Sequence, residues 1–126
     1  MILKVPFIKH FIGLELIKRR EVEFIVGLGA LEMTCKTFNK KLFELSEFTM
    51  DAGNNYDFLV VLLHSSYVVA CQQRYKRPKY TEDHARMWLE NMGDAERLLY
   101  TDAIKELTGT IAGPIVTGKQ IGRAHV

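Results

Sequence analysis

The chain has 126 residues, 48% of them hydrophobic and 25% charged, which is one globular domain of ordinary composition and excludes disorder along most of its length. Lys and Arg number 17 against 15 Asp and Glu, a net +2, too near neutral for a dedicated nucleic-acid binder. Two cysteines, Cys35 and Cys71, exclude a disulfide framework and point to a reducing compartment, and the longest apolar run, Phe58 to Leu63, is too short to span a bilayer.

Residues 1–26 read as strands. Leu14, Leu16, Val22, Phe24 and Val26 share one face of an alternating pattern. Lys18-Arg19-Arg20-Glu21 is a polar break between two strands, suited to a hairpin turn although it lacks Asn-Gly. Ile2 to Ile8 can add a third strand, which Pro6 restricts to an edge. The N-terminus, one Lys and then a Pro, lacks the pattern of a signal peptide.

From Leu28 the apolar spacing becomes helical through Leu31, Cys35 and Phe38, and Asn39 can end the helix. Leu42 to Phe48 reads as a short second helix packing Leu42, Phe43, Leu45 and Phe48. Residues 51–55 read as a loop with Asn54 or Asn55 as the next N-cap. Tyr56 to Tyr75 is apolar on nearly every side in its first half and too long for a strand, so it is expected to be a central buried helix. Lys76-Arg77-Pro78-Lys79 breaks it. Thr81 is an N-cap candidate for a helix with Ala85, Trp88, Leu89 and Met92 on one face, ended by Gly93. Asp94 is expected to cap a last helix carrying Leu98, Leu99, Ala103, Ile104 and Leu107, with Gly109 as its stop. The pattern is α+β: an N-terminal β-hairpin, with room for a third strand, followed by a compact bundle of four or five helices.

Residues 1–108 therefore read as a single domain, strands over 1–26 and helices over 27–108, with 109–120 a flexible tail. The last six residues, Ile121-Gly122-Arg123-Ala124-His125-Val126, back-translate as ATC GGA AGA GCA CAC GTC, with Gln120 as CAG supplying a preceding AG. Those bases read as a widely used short-read sequencing adapter. Residues 121–126 are thus expected to be translated adapter at the end of an environmental (metagenomic) assembly, and the natural chain is expected to continue beyond Gln120. His125 and Arg123 carry no functional argument.

Catalytic and metal spacings are weak. The histidines lie at 10, 64, 84 and 125 with no CxxC or HExxH pair. His64 and Cys71 share a helix face but sit about 10 Å apart along it, too far for a hydrogen bond, so packing is the expected role. Gly113 to Lys119 has P-loop spacing, but Gln120 stands where the motif needs Ser or Thr. Arg74, Lys76, Arg77 and Lys79 interleave with Tyr75 and Tyr80, a pattern that can neutralise phosphates and stack bases; on a near-neutral chain a solvated loop is the better expectation. No catalytic, cofactor-binding or metal-ligating residue is assigned.

The order of Leu14 to Val26, then Val26-Gly27-Leu28-Gly29-Ala30-Leu31, Asp57-Phe58-Leu59-Val60-Val61-Leu62-Leu63, Tyr67, Ala70, Tyr80-Thr81-Glu82-Asp83 and Trp88-Leu89 resembles that of bacteriophage tail assembly chaperones. These small proteins are made from the tail gene cluster of long-tailed phages (caudoviruses). The resemblance covers about residues 14–108. It implies no enzyme activity and no cofactor. It implies binding of the tape measure protein and recruitment of tail tube subunits during virion morphogenesis. It places the chain in the host bacterial cytoplasm, absent from the mature virion, with no membrane partner and with room for a homo-oligomer and for a frameshifted longer form. Contacts would come from side chains exposed on the helical half, such as Met33, Met87 and Met92, because methionine surfaces adapt to varied partners. Two other readings stay open: a small DNA-associated regulator using the Arg74–Lys79 loop, and a structural tail-completion protein.

Overall fold

The computed structural model describes the backbone of residues 1–119 and the side chains of residues 1–109. Residues 120–126, including the expected adapter segment, lie outside the described residues. The chain is α+β. Among the described residues a two-stranded antiparallel hairpin, β1 (Ile2–Phe11) and β2 (Leu14–Glu23), is followed by five helices: α1 (Leu28–Phe38), α2 (Leu45–Phe48, entered through a 3-10 turn at Leu42–Glu44), α3 (Ala52–Gln73), α4 (Glu82–Asn91) and α5 (Asp94–Lys119).

Ile2–Phe11 is a full partner of β2 rather than a third strand, and the hairpin turn sits at Ile12-Gly13, not at Lys18–Glu21. Ile12 and Gly13 both have positive φ, 38° and 78°, as a tight two-residue hairpin loop requires. The Lys18–Glu21 run lies inside β2, paired with residues 4–7 of β1. Its charges are tolerated there because all four residues are exposed. In a two-stranded sheet every strand has a free edge, which accommodates Pro6. The register pairs Leu3 with Val22 and Phe11 with Leu14, so Leu3, Val5, Phe7, Phe11, Leu14, Leu16 and Val22 share one face. β2 stops at Glu23 rather than running to Val26. Beyond it, Phe24 exchanges backbone bonds with Met1 (2.7 and 3.0 Å), and Ile25 N–H donates to the Ser66 carbonyl (3.0 Å).

Asn39 ends α1 in the left-handed conformation (φ 53°), with Asn39 N–H donating to Lys36 O and Lys40 N–H to Cys35 O. That double bond is the Schellman pattern, and Asn adopts it at low steric cost. The buried face of α1 is Ala30, Leu31 and Thr34; Leu28 is exposed, so the expected stripe is rotated by part of a turn. Of the second helix's expected core, Leu45 is buried and Phe48 half-buried, whereas Leu42 and Phe43 face solvent.

Asp51, rather than Asn54 or Asn55, caps α3: its Oδ2 accepts Asn54 N–H at 2.9 Å. Helix α3 is central because it is buried on two sides. Val60, Leu63, Tyr67 and Cys71 join the hairpin and α4, while Leu62 joins Ala30, Leu31, Leu45 and Leu107. Each fully buried side chain of this size contributes about 1.5–3 kcal/mol of apolar burial. The buried Ser66 hydroxyl is satisfied locally, its Oγ donating to Leu62 O at 2.7 Å.

Thr81 and His84 form a capping box at the start of α4, Thr81 N–H donating to His84 Nδ1 at 3.1 Å. Trp88 then sits at the centre of an aromatic cluster, with Phe7, Phe24, Tyr67 and Tyr80 ring centroids 5.4 to 5.9 Å away. All four contacts are edge-to-face, the arrangement the ring quadrupoles favour. Met92, not Gly93, closes α4, and the Arg97 guanidinium donates to the carbonyls of Leu89, Glu90 and Met92. Arg97 N–H donates to Gly93 O, so Asp94 is the first residue inside α5 rather than its cap. The α5 backbone passes Gly109 and runs to Lys119, where a stop and a flexible tail are expected from the sequence. Glycine weakens a helix by about 1 kcal/mol without forbidding it, and Gly109 is not left-handed.

Candidate functional site

The hairpin separates into a packed base and a projecting arm. Leu3, Val5 and Val22 are buried, whereas every residue from Lys9 to Glu21 is exposed. The arm leaves the body at Phe7, where Arg20 lies over the ring with its Cζ 5.6 Å from the centroid. Phe11 (60% exposed) and Leu14 (67%) pair directly across the strands. With Leu16 they extend the core-facing side of the sheet beyond any core of this chain. Ile12 stands at the tip, 94% exposed. Residues 7–20 carry Lys9, Lys18, Arg19 and Arg20 against Glu15 alone. Lone exposed apolar residues are commonplace, but a contiguous cluster on a rigid element marks an interaction surface.

A second feature lies where β2, the end of α3 and the following loop meet. Tyr75 ends α3 with φ 55°, its N–H donating to Gln72 O and Lys76 N–H to Cys71 O, the same Schellman pattern as at Asn39. The loop is fastened by the Tyr67 hydroxyl, which accepts Lys79 N–H at 2.7 Å. A cleft of about 460 Å³ opens there, floored by Val22, Tyr67, Ala70 and Cys71. Arg74 reaches across to Glu23 with a two-pronged bond, Nε to Oε1 at 3.0 Å and Nη2 to Oε2 at 3.2 Å. Hydrogen bonding to Arg74 holds the Glu23 carboxyl below its ordinary range, and Glu23 raises the guanidinium in turn. Of the four cations expected to act together at Arg74–Lys79, Arg74 is thus committed within the chain. Lys76, Arg77 and Lys79 stay on the rim.

A shallower groove of about 380 Å³ runs between α1 and the 3-10 turn, with Leu28, Leu31, Cys35 and Leu42 inside it and Glu32, Lys36, Lys40 and Lys41 on its edges. Burial raises the Cys35 thiol above its ordinary range.

The three methionines expected on the surface fare differently. Met92 is only 5% exposed and belongs to the core with Trp88 and Tyr100. It is carried inward because α4 ends at Asn91 and Met92 turns extended beneath the helix end. Met87 is half-buried against the same core, and Met33 is half-buried on α1. Met50 is the strongly exposed methionine among the described residues. His64 Nε2 lies 2.8 Å from the Tyr80 carbonyl, a bond in which the ring must donate, and Cys71 is buried in the cleft floor. The backbone from Gly113 to Lys119 is helical, so the P-loop-like spacing does not lie on a loop after a strand. Among the described residues no group of three or more His, Cys, Asp or Glu could hold a metal ion, and no helix is long and apolar enough to cross a membrane.

Sequence periodicity misses the arm because the turn at Ile12-Gly13 carries no Asn-Gly signal and its apolar residues read as ordinary core strand. Comparison with family models, with curated proteins and with solved structures finds no match to the chain.

Proposed function

We propose that the chain is a non-enzymatic tail assembly chaperone of a long-tailed bacteriophage. On this reading it binds the tape measure protein in the host cytoplasm, recruits tail tube subunits and leaves before the virion is complete. The observation that carries the reading is the projecting arm with Phe11, Ile12, Leu14 and Leu16 exposed. A tape measure protein is long, helical and rich in apolar residues, and shielding such stretches from one another requires apolar surface outside the chaperone's own core. The arm supplies that surface on a two-stranded ribbon anchored by Leu3, Val5 and Val22.

The test is co-expression with the tape measure protein encoded in the same gene cluster. Wild-type chain keeps that protein soluble, and Leu14→Ser with Leu16→Ser loses the effect while the chaperone itself stays folded. Equal solubility with and without the chain, or retention of the chain in purified virions, overturns the reading.

A further inference from the structure

The cleft beside Arg74 is separate from the arm on which the chaperone reading rests. Its floor is apolar, made by Val22, Ala70, Cys71 and the Tyr67 ring. Its rim holds Lys76, Arg77 and Lys79, all exposed, and none of the three forms an ion pair among the described residues. Their backbone is held in place at both ends. The left-handed turn at Tyr75 and the Lys76–Cys71 bond fix one end, and the Lys79–Tyr67 bond fixes the other. Tyr75 itself pays a steric cost there that glycine would avoid. Fixed cations lose less freedom on meeting a ligand than cations on a loose loop.

We propose that this cleft docks an acidic peptide segment, seating one apolar side chain on the Val22–Ala70–Cys71 floor and its flanking carboxylates on Lys76, Arg77 and Lys79. A nucleic-acid strand fits the cleft less well. A phosphate chain needs a continuous positive track, whereas the rim cations of this cleft are confined to the four residues from Lys76 to Lys79. Carboxylates separated by an apolar residue match both parts of the site: local positive charge and a small apolar floor.

The experiment measures fluorescence anisotropy of a labelled peptide with one leucine flanked on each side by two glutamates, at low salt. Binding is expected to weaken about tenfold in K76Q/R77Q/K79Q, the loss of several weak exposed pairs together. Replacing the peptide's leucine with serine also weakens it. K18Q/R19Q, which removes two charges from the arm instead, leaves it unchanged. Circular dichroism confirms that both variants keep the fold. Absence of peptide binding, an equal loss in K18Q/R19Q, or tighter binding of a labelled oligothymidylate than of the peptide overturns the proposal.

Discussion

The Lys79 backbone N–H donates to the Tyr67 hydroxyl over 2.7 Å, tying the basic loop to the middle of the longest well-packed helix. Tyr80 N–H shares the same oxygen at 3.4 Å. Tyr67→Phe keeps the ring against Phe24 and Trp88 but removes the acceptor. Stability should fall by about 1–2 kcal/mol, the cost of leaving a part-buried donor unpaired. Urea denaturation measures the loss, and amide exchange at Lys79 should accelerate while exchange in α1 stays unchanged.

Ile12 is a β-branched residue at φ 38° with 94% of its surface exposed. The same turn favours Asn before Gly, so Ile12→Asn should raise stability by about 1 kcal/mol. It also removes apolar surface from the arm tip. The expected outcome is a higher melting temperature together with, on the proposed chaperone function, weaker solubilisation of the tape measure protein, two readouts moving in opposite directions.

Tyr100 is buried, its hydroxyl donates to the Leu59 carbonyl at 2.6 Å, and burial pushes that hydroxyl far above the ordinary tyrosine value of 10.0. Burial raises Tyr67 and Tyr56 as well. A raised folded-state value means that the unfolded chain releases its proton first as pH rises. Stability is therefore fully present below about pH 10 and falls as pH climbs above it. Tyr100→Phe should flatten that alkaline decline, at the cost near neutrality of the Leu59 bond. Chemical denaturation between about pH 8 and 11, which brackets the ordinary tyrosine value, checks the slope.

Trp88 is fully buried and is touched by rings from β1, the segment after β2, α3 and the loop before α4. Trp88→Ala should cost about 3–5 kcal/mol, the range for emptying a large aromatic site. Trp88→Phe should cost less, because a ring remains and the indole N–H has no acceptor among the described residues. Equilibrium unfolding of both variants gives the comparison.

The α+β order, the central helix and the capping of α4 were legible in the sequence. Each is a local property: Asn39 and Thr81 act within a few residues of themselves, and the length of the apolar stretch after Tyr56 decides helix against strand. Other features depend on partners distant in the chain. Whether Leu14 and Leu16 enter a core is set by how far β1 and β2 outrun the helices, and an alternating pattern reads the same in a packed strand and a projecting one. Met92 and Leu28 exchange their expected places, one buried and one exposed, because helix rotation and helix ends are settled by packing against α3. The basic loop was visible as composition, but the commitment of Arg74 to Glu23, 51 residues earlier, was not. Sequence by itself therefore determined the α+β order and where most helices lie, since these follow from neighbouring residues, but not the hairpin turn at Ile12-Gly13, which carries no Asn-Gly signal. Only the tertiary structure decided which apolar and charged side chains remain for a partner, because exposure is what is left after distant elements have packed.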